Sequence, residues 1–227
     1  MMNPVLAPGN LVVSCQAQPG NPLADPAAMA LMARAAAAGG AGGIRANGPR
    51  DIVAIRSVTD LPIIGIHKRG DPAGVFITPT LDDAAAIVRA GADLVAVDGT
   101  RRPRPDSRTL AEQIRGIHEE LGVGVIADVD DLRAGLAARE AGADLVATTL
   151  SGYTGGEVPG GPDLDLVRLL AGKVDCPVIA EGRIRTPDHV RAACEAGAYA
   201  VVVGYAITNP MDITARMVQA IPDREVV

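Results

Sequence analysis

Of the 21 cationic residues in this chain, only Lys68 and Lys173 are lysines. Lys173 falls at the C-terminal end of a predicted helix, where any cation would serve. Lys68 closes the apolar run PIIGIHKR (62–69), and a lysine can do what an arginine cannot, which is to give up its proton. A second apolar run, PVIAEGRI (177–184), ends instead on Glu181. A base lysine must fall from its reference pKa of about 10.4 by roughly 2–3 units, at about 1.4 kcal/mol per unit. Burial and a nearby cation such as Arg45 push it that way. A buried Glu181 would move up and could donate a proton near neutral pH. A carboxylate close to the lysine would instead hold both groups charged, so their separation decides the outcome.

Both residues need elements that aim them at one place. The segments AGADLVAVDGT, AGADLVATTLS and AGAYAVVVGYA begin at Ala90, Ala141 and Ala196. Each offers a glycine where a helix should stop, followed by a short β-prone run. On that pattern, strands are expected over 10–16, 42–46, 62–68, 93–98, 124–128, 145–149, 176–181 and 200–205. Helices are expected over 25–38, 81–90, 109–121, 131–141, 164–172, 187–196 and 211–220. The segment 49–60 carries a weaker helical pattern, and VFIT (75–78) reads as a possible extra strand. The strands are continuously apolar, as expected for burial on both faces. Eight β–α units in 227 residues predict a single-domain α/β fold, a (β/α)8 TIM barrel spanning 1–227 with a lead-in at 1–9. A doubly wound open sheet is the runner-up, but no strand is followed by GxGxxG.

In such barrels the active site lies at the C-terminal ends of the strands. Those ends carry Gln16, Arg45, Lys68, Asp98, Asp128, Thr148 with Thr149, Glu181 and Gly204, a ring richer in charge than solvation requires. The loops EGR (181–183) and VGYA (203–206) occupy the place where these barrels often bind phosphate on backbone N–H groups, with Gly182 and Gly204 permitting close approach. His67 should face away from Lys68, and His118 and His189 fall in predicted helices. Asp130 and Asp131 suit a helix start. No metal site is expected.

Composition narrows the class further. The net charge is −6 with a pI near 5.1, which argues against a nucleic-acid partner. The basic run RRPRP (101–105) reads as a solvated loop. Cys15, Cys176 and Cys194 lack metal or CxxC spacing and read as buried, reduced thiols of a cytoplasmic protein. LVVSC (11–15) lacks the preceding positive charge and length of a signal peptide. No run is long enough to span a membrane.

The segments GNLVVSCQA (9–17), GGIRANG (42–48), LPIIGIHKR (61–69), FITPT (76–80), TTLSGYT (148–154), PVIAEGRI (177–184) and GAYAVVVGYAIT (197–208) occur in this order. Together they resemble the N-acetylmannosamine-6-phosphate 2-epimerases of bacterial sialic acid breakdown, over nearly the whole chain. The resemblance implies a barrel isomerase of amino-sugar metabolism that inverts C2 without a redox cofactor. It places the base on Lys68, the partner acid on Glu181, and substrate contacts on Gln16, Arg45 and Asp128. Thr149 of TTLSGYT joins them, with phosphate contacts at Gly182, Arg183 and Gly204. An arginine of the family's ITRP segment that reaches the phosphate corresponds here to Asn209, in ITNP. The segment after Asp128 departs too, with Asp130 and Asp131 where Ser-Thr is usual, and DGT (98–100) stands for DAT. A small amino-sugar phosphate and a homodimer are the partners implied. Alternatives are a barrel lyase or synthase on another phosphorylated compound, an epimerase of the unphosphorylated sugar, and a non-catalytic sugar-phosphate sensor.

Overall fold

A computed structural model describes residues 5–155 and 158–222. Eight parallel strands close into a barrel in chain order: β1 (Asn10–Cys15), β2 (Gly43–Asn47), β3 (Ile63–Ile66), β4 (Leu94–Asp98), β5 (Gly124–Asp128), β6 (Leu145–Ala147), β7 (Val178–Glu181) and β8 (Ala200–Val203). Closure comes from β1 pairing with β8, from Asn10 opposite Ala200 to Val13 opposite Val203. The expected (β/α)8 barrel is therefore the fold found. The helices α1 (Pro26–Ala38), α2 (Pro49–Arg56), α3 (Leu81–Arg89), α4 (Leu110–Gly116), α5 (Leu132–Glu140), α6 (Leu164–Ala171) and α7 (Pro187–Glu195) follow the first seven strands. A single turn, α8 (Tyr205–Thr208), and then α9 (Pro210–Gln219) follow β8.

Successive strand side chains alternate between faces, and here the alternation divides the core in two. Val12, Ile64, Leu94, Ala96, Ile126, Ala147, Ile179, Ala200 and Val202 fill the barrel interior, joined by Leu6 from the lead-in. Their neighbours Val13, Ile44, Val95, Val125, Val146, Val178 and Val201 pack outward against the helices. Extending the inward set along each strand reaches Gln16, Arg45, Lys68, Asp98, Asp128, Thr149, Glu181 and Gly204. The polar ring is thus the top layer of the same inward-facing ladder that fills the core.

Side-chain caps fix the helix starts beside this ring. Asp25 caps α1, Thr80 caps α3, Asp131 caps α5, Asp163 caps α6 and Thr186 caps α7. Thr109 and Glu112 form a reciprocal capping box at α4. Each cap satisfies amide donors that the first helical turn leaves free.

The structure corrects several expectations. β3 stops at Ile66, and Lys68 lies beyond it in a single antiparallel bridge to Ile77, which is what VFIT forms instead of a strand. β8 ends at Val203 because Tyr205 already begins α8. The helix expected over 109–121 changes to a π-helical turn at Ile117–Leu121. The weak pattern at 49–60 is a true helix, α2, opened by Pro49. RRPRP is not simply solvated: Arg102 pairs with Asp98, and Arg104 is buried and donates to the Asp98 carbonyl oxygen. Of the cysteines, all free, only Cys15 is buried; Cys176 is half-buried and Cys194 exposed on α7. No helix among the described residues is long and apolar enough to cross a membrane.

Candidate active site

A cavity of about 530 Å³ opens at the C-terminal end of the barrel, a size suited to a small-molecule ligand. Gln16, Arg45, Lys68, Thr149, Glu181, Gly182, Arg183 and Gly204 all line it. Of the expected site residues, Asp128 and Asn209 stand outside that lining. Asp98 does too, although it shares the inward ladder.

Arg45 is the pivot of the floor. It is buried in the barrel and grips Asp128 with both terminal guanidinium nitrogens, at 3.1 and 2.5 Å. Thr149 donates its hydroxyl to the same carboxylate at 2.6 Å. Asp128 therefore acts from behind, holding Arg45 and Thr149 at the cavity wall. The remaining charge of Arg45 falls on Glu181, whose Oε2 lies 2.8 Å from Nη1. The approach is too poorly aligned for a hydrogen bond, because the arginine fork is already aimed at Asp128, and Glu181 Oε2 has no hydrogen-bond partner. Glu181 thus has a cation beside it that is aimed elsewhere, and the Thr149 hydroxyl near its carboxyl is shared with Asp128.

The backbone of Glu181 is fixed more firmly than its carboxyl. Thr148, which faces outward between β6 and β7, donates to the Glu181 carbonyl oxygen at 2.9 Å and accepts from its N–H at 3.1 Å. The carboxyl is pushed up to about 7, first by burial and further by Asp128, against the pull of Arg45, the Thr149 hydroxyl and Lys68. It sits near the midpoint of its titration at neutral pH.

Lys68 is positioned by a tied loop. Asn47 at the end of β2 accepts the Lys68 N–H at 2.9 Å. Arg69 donates to Phe76, and Thr78 donates to His67, both at 2.9 Å. Thr78 takes a left-handed backbone, φ +46°, and its hydroxyl bridges the His67 N–H and the Ala96 carbonyl oxygen. His67 turns outward to Asp83 on α3, as its position next to Lys68 implied. The Lys68 ammonium is driven below the ordinary lysine value, first by burial and then by Arg45, against Glu181 and Asp128. Its Nζ makes no ion pair among the described residues, so it lies more than 4.0 Å from the Glu181 oxygens. The two groups line one cavity without pairing with each other.

At the β7–β8 side the wall is backbone and loop. Gly182 (φ +113°) and Arg183 (φ +57°) are both left-handed, and Arg183 accepts a conformation usually left to glycine. Its side chain offsets that cost by donating to Ser151 and Gly161 carbonyl oxygens, both at 2.7 Å, and by lying 5.3 Å from the Tyr153 ring centre. Asn209 caps α9 through the Asp212 N–H and accepts from Asn21 at 3.2 Å. Asp130 accepts from Thr154. His118 pairs with Asp144 on the barrel's outside, and His189 accepts from the Arg185 N–H. No group of His, Cys, Asp or Glu among the described residues is placed to hold a metal ion.

The cavity also contains residues that were not among the expected contacts. Ser14 is donated to by Gln16 at 2.8 Å and could have been found from its inward parity two residues before Gln16. Phe76, Tyr153, Arg185, Tyr205 and Asp212 come from loops and α-helical starts, where no periodicity announces which way a side chain turns.

This chain matches the family model described as "NanE: Putative N-acetylmannosamine-6-phosphate epimerase" over residues 29–223. The chain belongs to that family. Its NanE relatives include a protein of Cutibacterium acnes, 53% identical over 91% of this chain and 91% of its own length. Another, from Caldanaerobacter subterraneus, is 48% identical over 94% and 92%. Both are named "Putative N-acetylmannosamine-6-phosphate 2-epimerase". Among solved structures, the N-acetylmannosamine-6-phosphate 2-epimerase of Clostridium perfringens superposes with a TM-score of 0.91. It is 41% identical and covers 95% of each chain. NanE kinship and the barrel architecture thus agree from end to end.

Proposed function

We propose that this protein interconverts N-acetyl-D-mannosamine 6-phosphate and N-acetyl-D-glucosamine 6-phosphate by moving the proton at C2. One observation carries the reading. A lysine driven toward neutrality and a carboxyl driven toward protonation line one cavity without pairing, in a chain whose relatives bear that enzyme's name.

The sugar reacts as its open-chain aldehyde, whose carbonyl acidifies the neighbouring C–H. The neutral amine of Lys68 takes the C2 proton, and the bonding pair moves into an enolate. Glu181, protonated, returns a proton to the opposite face of C2, and configuration inverts. In the reverse direction the carboxylate removes and the ammonium returns the proton. Arg45 and Gln16 stand at the wall to stabilise the developing oxyanion, a contribution that is often the largest in such chemistry. Gly182, Arg183 and Gly204 offer backbone N–H groups to the 6-phosphate. No redox step is required, because the C2 proton leaves and returns at one oxidation level.

The three free cysteines support a reducing, cytoplasmic setting. Exposed Met211, Met217 and Val218 on α9 and Ile221 just after it support a homodimer, which light scattering would check. The activity itself is tested by following the 6-phosphate of N-acetylmannosamine by proton NMR with purified protein and no added cofactor. Appearance of N-acetylglucosamine 6-phosphate is expected. An unchanged spectrum after long incubation would remove the proposal.

A further inference from the structure

Four cations line the cavity: Arg45, Lys68, Arg183 and Arg185. Two are already engaged, and a third is given to the proton transfer proposed above. Arg45 is bound to Asp128 and faces Glu181, Lys68 is the buried amine, and Arg183 spends its Nε and Nη1 donors on two carbonyl oxygens. Arg185 differs. Its side chain is exposed, and among the described residues it makes neither an ion pair nor a side-chain hydrogen bond. Its backbone is anchored, since its N–H donates to His189 and the next residue, Thr186, caps α7.

We infer that Arg185 is a specificity-determining residue that supplies a mobile positive charge to the phosphate of the substrate; the inference rests on the function proposed above. The neighbouring wall is short of such charge. From the β8 side come Gly204 and Tyr205, which are uncharged, and Asp212, which is acidic and lies 3.2 Å from Arg216. Asn209 is neutral, outside the lining, and committed to capping α9. Backbone amides can hydrogen-bond a phosphate but bring no full positive charge, and Arg216, which answers Asp212, is outside the lining. Arg185 sits three residues from Gly182 on the same loop, beside Arg183, and a guanidinium matches phosphate oxygens in a two-pronged geometry.

The same side chain would discriminate between the phosphorylated and free sugar. An exposed arginine adds little to binding an uncharged hydroxyl, while it adds attraction to a dianion that salt would screen. It lies at the rim, so its effect belongs to binding and leaves the proton transfers untouched.

The test compares the parent protein with Arg185→Gln and Arg185→Lys. KM for N-acetylmannosamine 6-phosphate should rise about tenfold in Arg185→Gln, equivalent to about 1.4 kcal/mol, with kcat within about twofold. Arg185→Lys should recover part of the loss, and activity on unphosphorylated N-acetylmannosamine should be the same in all three. Equilibrium binding of N-acetylglucosamine 6-phosphate should weaken in parallel, and that titration reads the arginine's role even if the parent turns over neither sugar. Parent inactivity would end the proposed function alone. Unchanged binding of the 6-phosphate in Arg185→Gln, or equal losses with both sugars, would overturn the role of Arg185.

Discussion

Asp98 and Glu181 occupy equivalent places on strands β4 and β7, three apart around the barrel. Each ends a parallel strand, points inward, and has its carboxyl pushed up first by burial. Asp98 is met by its own loop: the Thr100 N–H at 3.0 Å, the Thr100 hydroxyl at 2.6 Å and Arg102 at 2.7 Å. Nothing of it reaches solvent. Glu181 receives no such set. Arg45 stands to one side, misaligned, and the cavity lies on the other. A strand-end carboxylate whose loop provides its donors is a fastener. One left short of donors beside a cavity keeps a proton that it can exchange.

Removing the exchangeable groups should have the largest effect on activity. Glu181→Gln and Lys68→Met should each lower kcat by roughly 10²–10⁴-fold, the usual worth of a positioned acid or base, while circular dichroism shows the fold intact. Retention of most of the parent rate by either variant would erase the contrast with Asp98. The fastener should fail differently. Asp98→Ala leaves Arg102 without its buried partner and should cost about 3–5 kcal/mol of stability, read by urea unfolding, with kcat near the parent's wherever the protein remains folded. A collapse of kcat at unchanged stability would make Asp98 part of the chemistry.

Acidity sharpens the same comparison. The folded Glu181 carboxyl titrates near 7, against about 4.3 for an unfolded glutamate. Its protonated form is favoured by the fold, so its contribution is fully present below about pH 4.3 and is lost as pH rises through 7. At about 1.4 kcal/mol per unit, this amounts to roughly 4 kcal/mol. Subtracting the urea-unfolding profile of Glu181→Gln from that of the parent should reveal a decline across this window; a flat difference would mean that the carboxyl is not shifted. The smallest effect belongs to ion pairs outside the barrel. Arg191→Ala removes an exposed pair with Asp188 and should leave both the melting temperature and the rate unmoved.

Much of the site was legible because parity is strict. Once Ile179 faces inward, Glu181 must, and the same count places Gln16, Arg45, Asp128 and Thr149. The count cannot distinguish Asp98 from Glu181, since the difference lies in Thr100 and Arg102, loop residues whose direction no period fixes. The same limit hid Arg104, read as solvated in RRPRP but buried against β4, and Arg185, read as nothing at all. Asn209 and Asp128 show the reverse case. Sequence marks them for the site, yet one caps α9 and the other stands behind Arg45. Strand limits were overrun at β3 and β8 because apolar character continues past the last ladder bond, into the Lys68–Ile77 bridge and the turn α8.

The central claim is that two different side chains handle the two faces of C2. It is tested by incubating each epimer separately in deuterium oxide with Lys68→Met and Glu181→Gln, and following label at C2 by NMR. The account predicts that each variant still exchanges one epimer and not the other, with opposite choices for the two variants, while neither epimerises at an appreciable rate. Loss of both exchanges in one variant, with both retained in the other, would contradict it and leave a single base doing all the work.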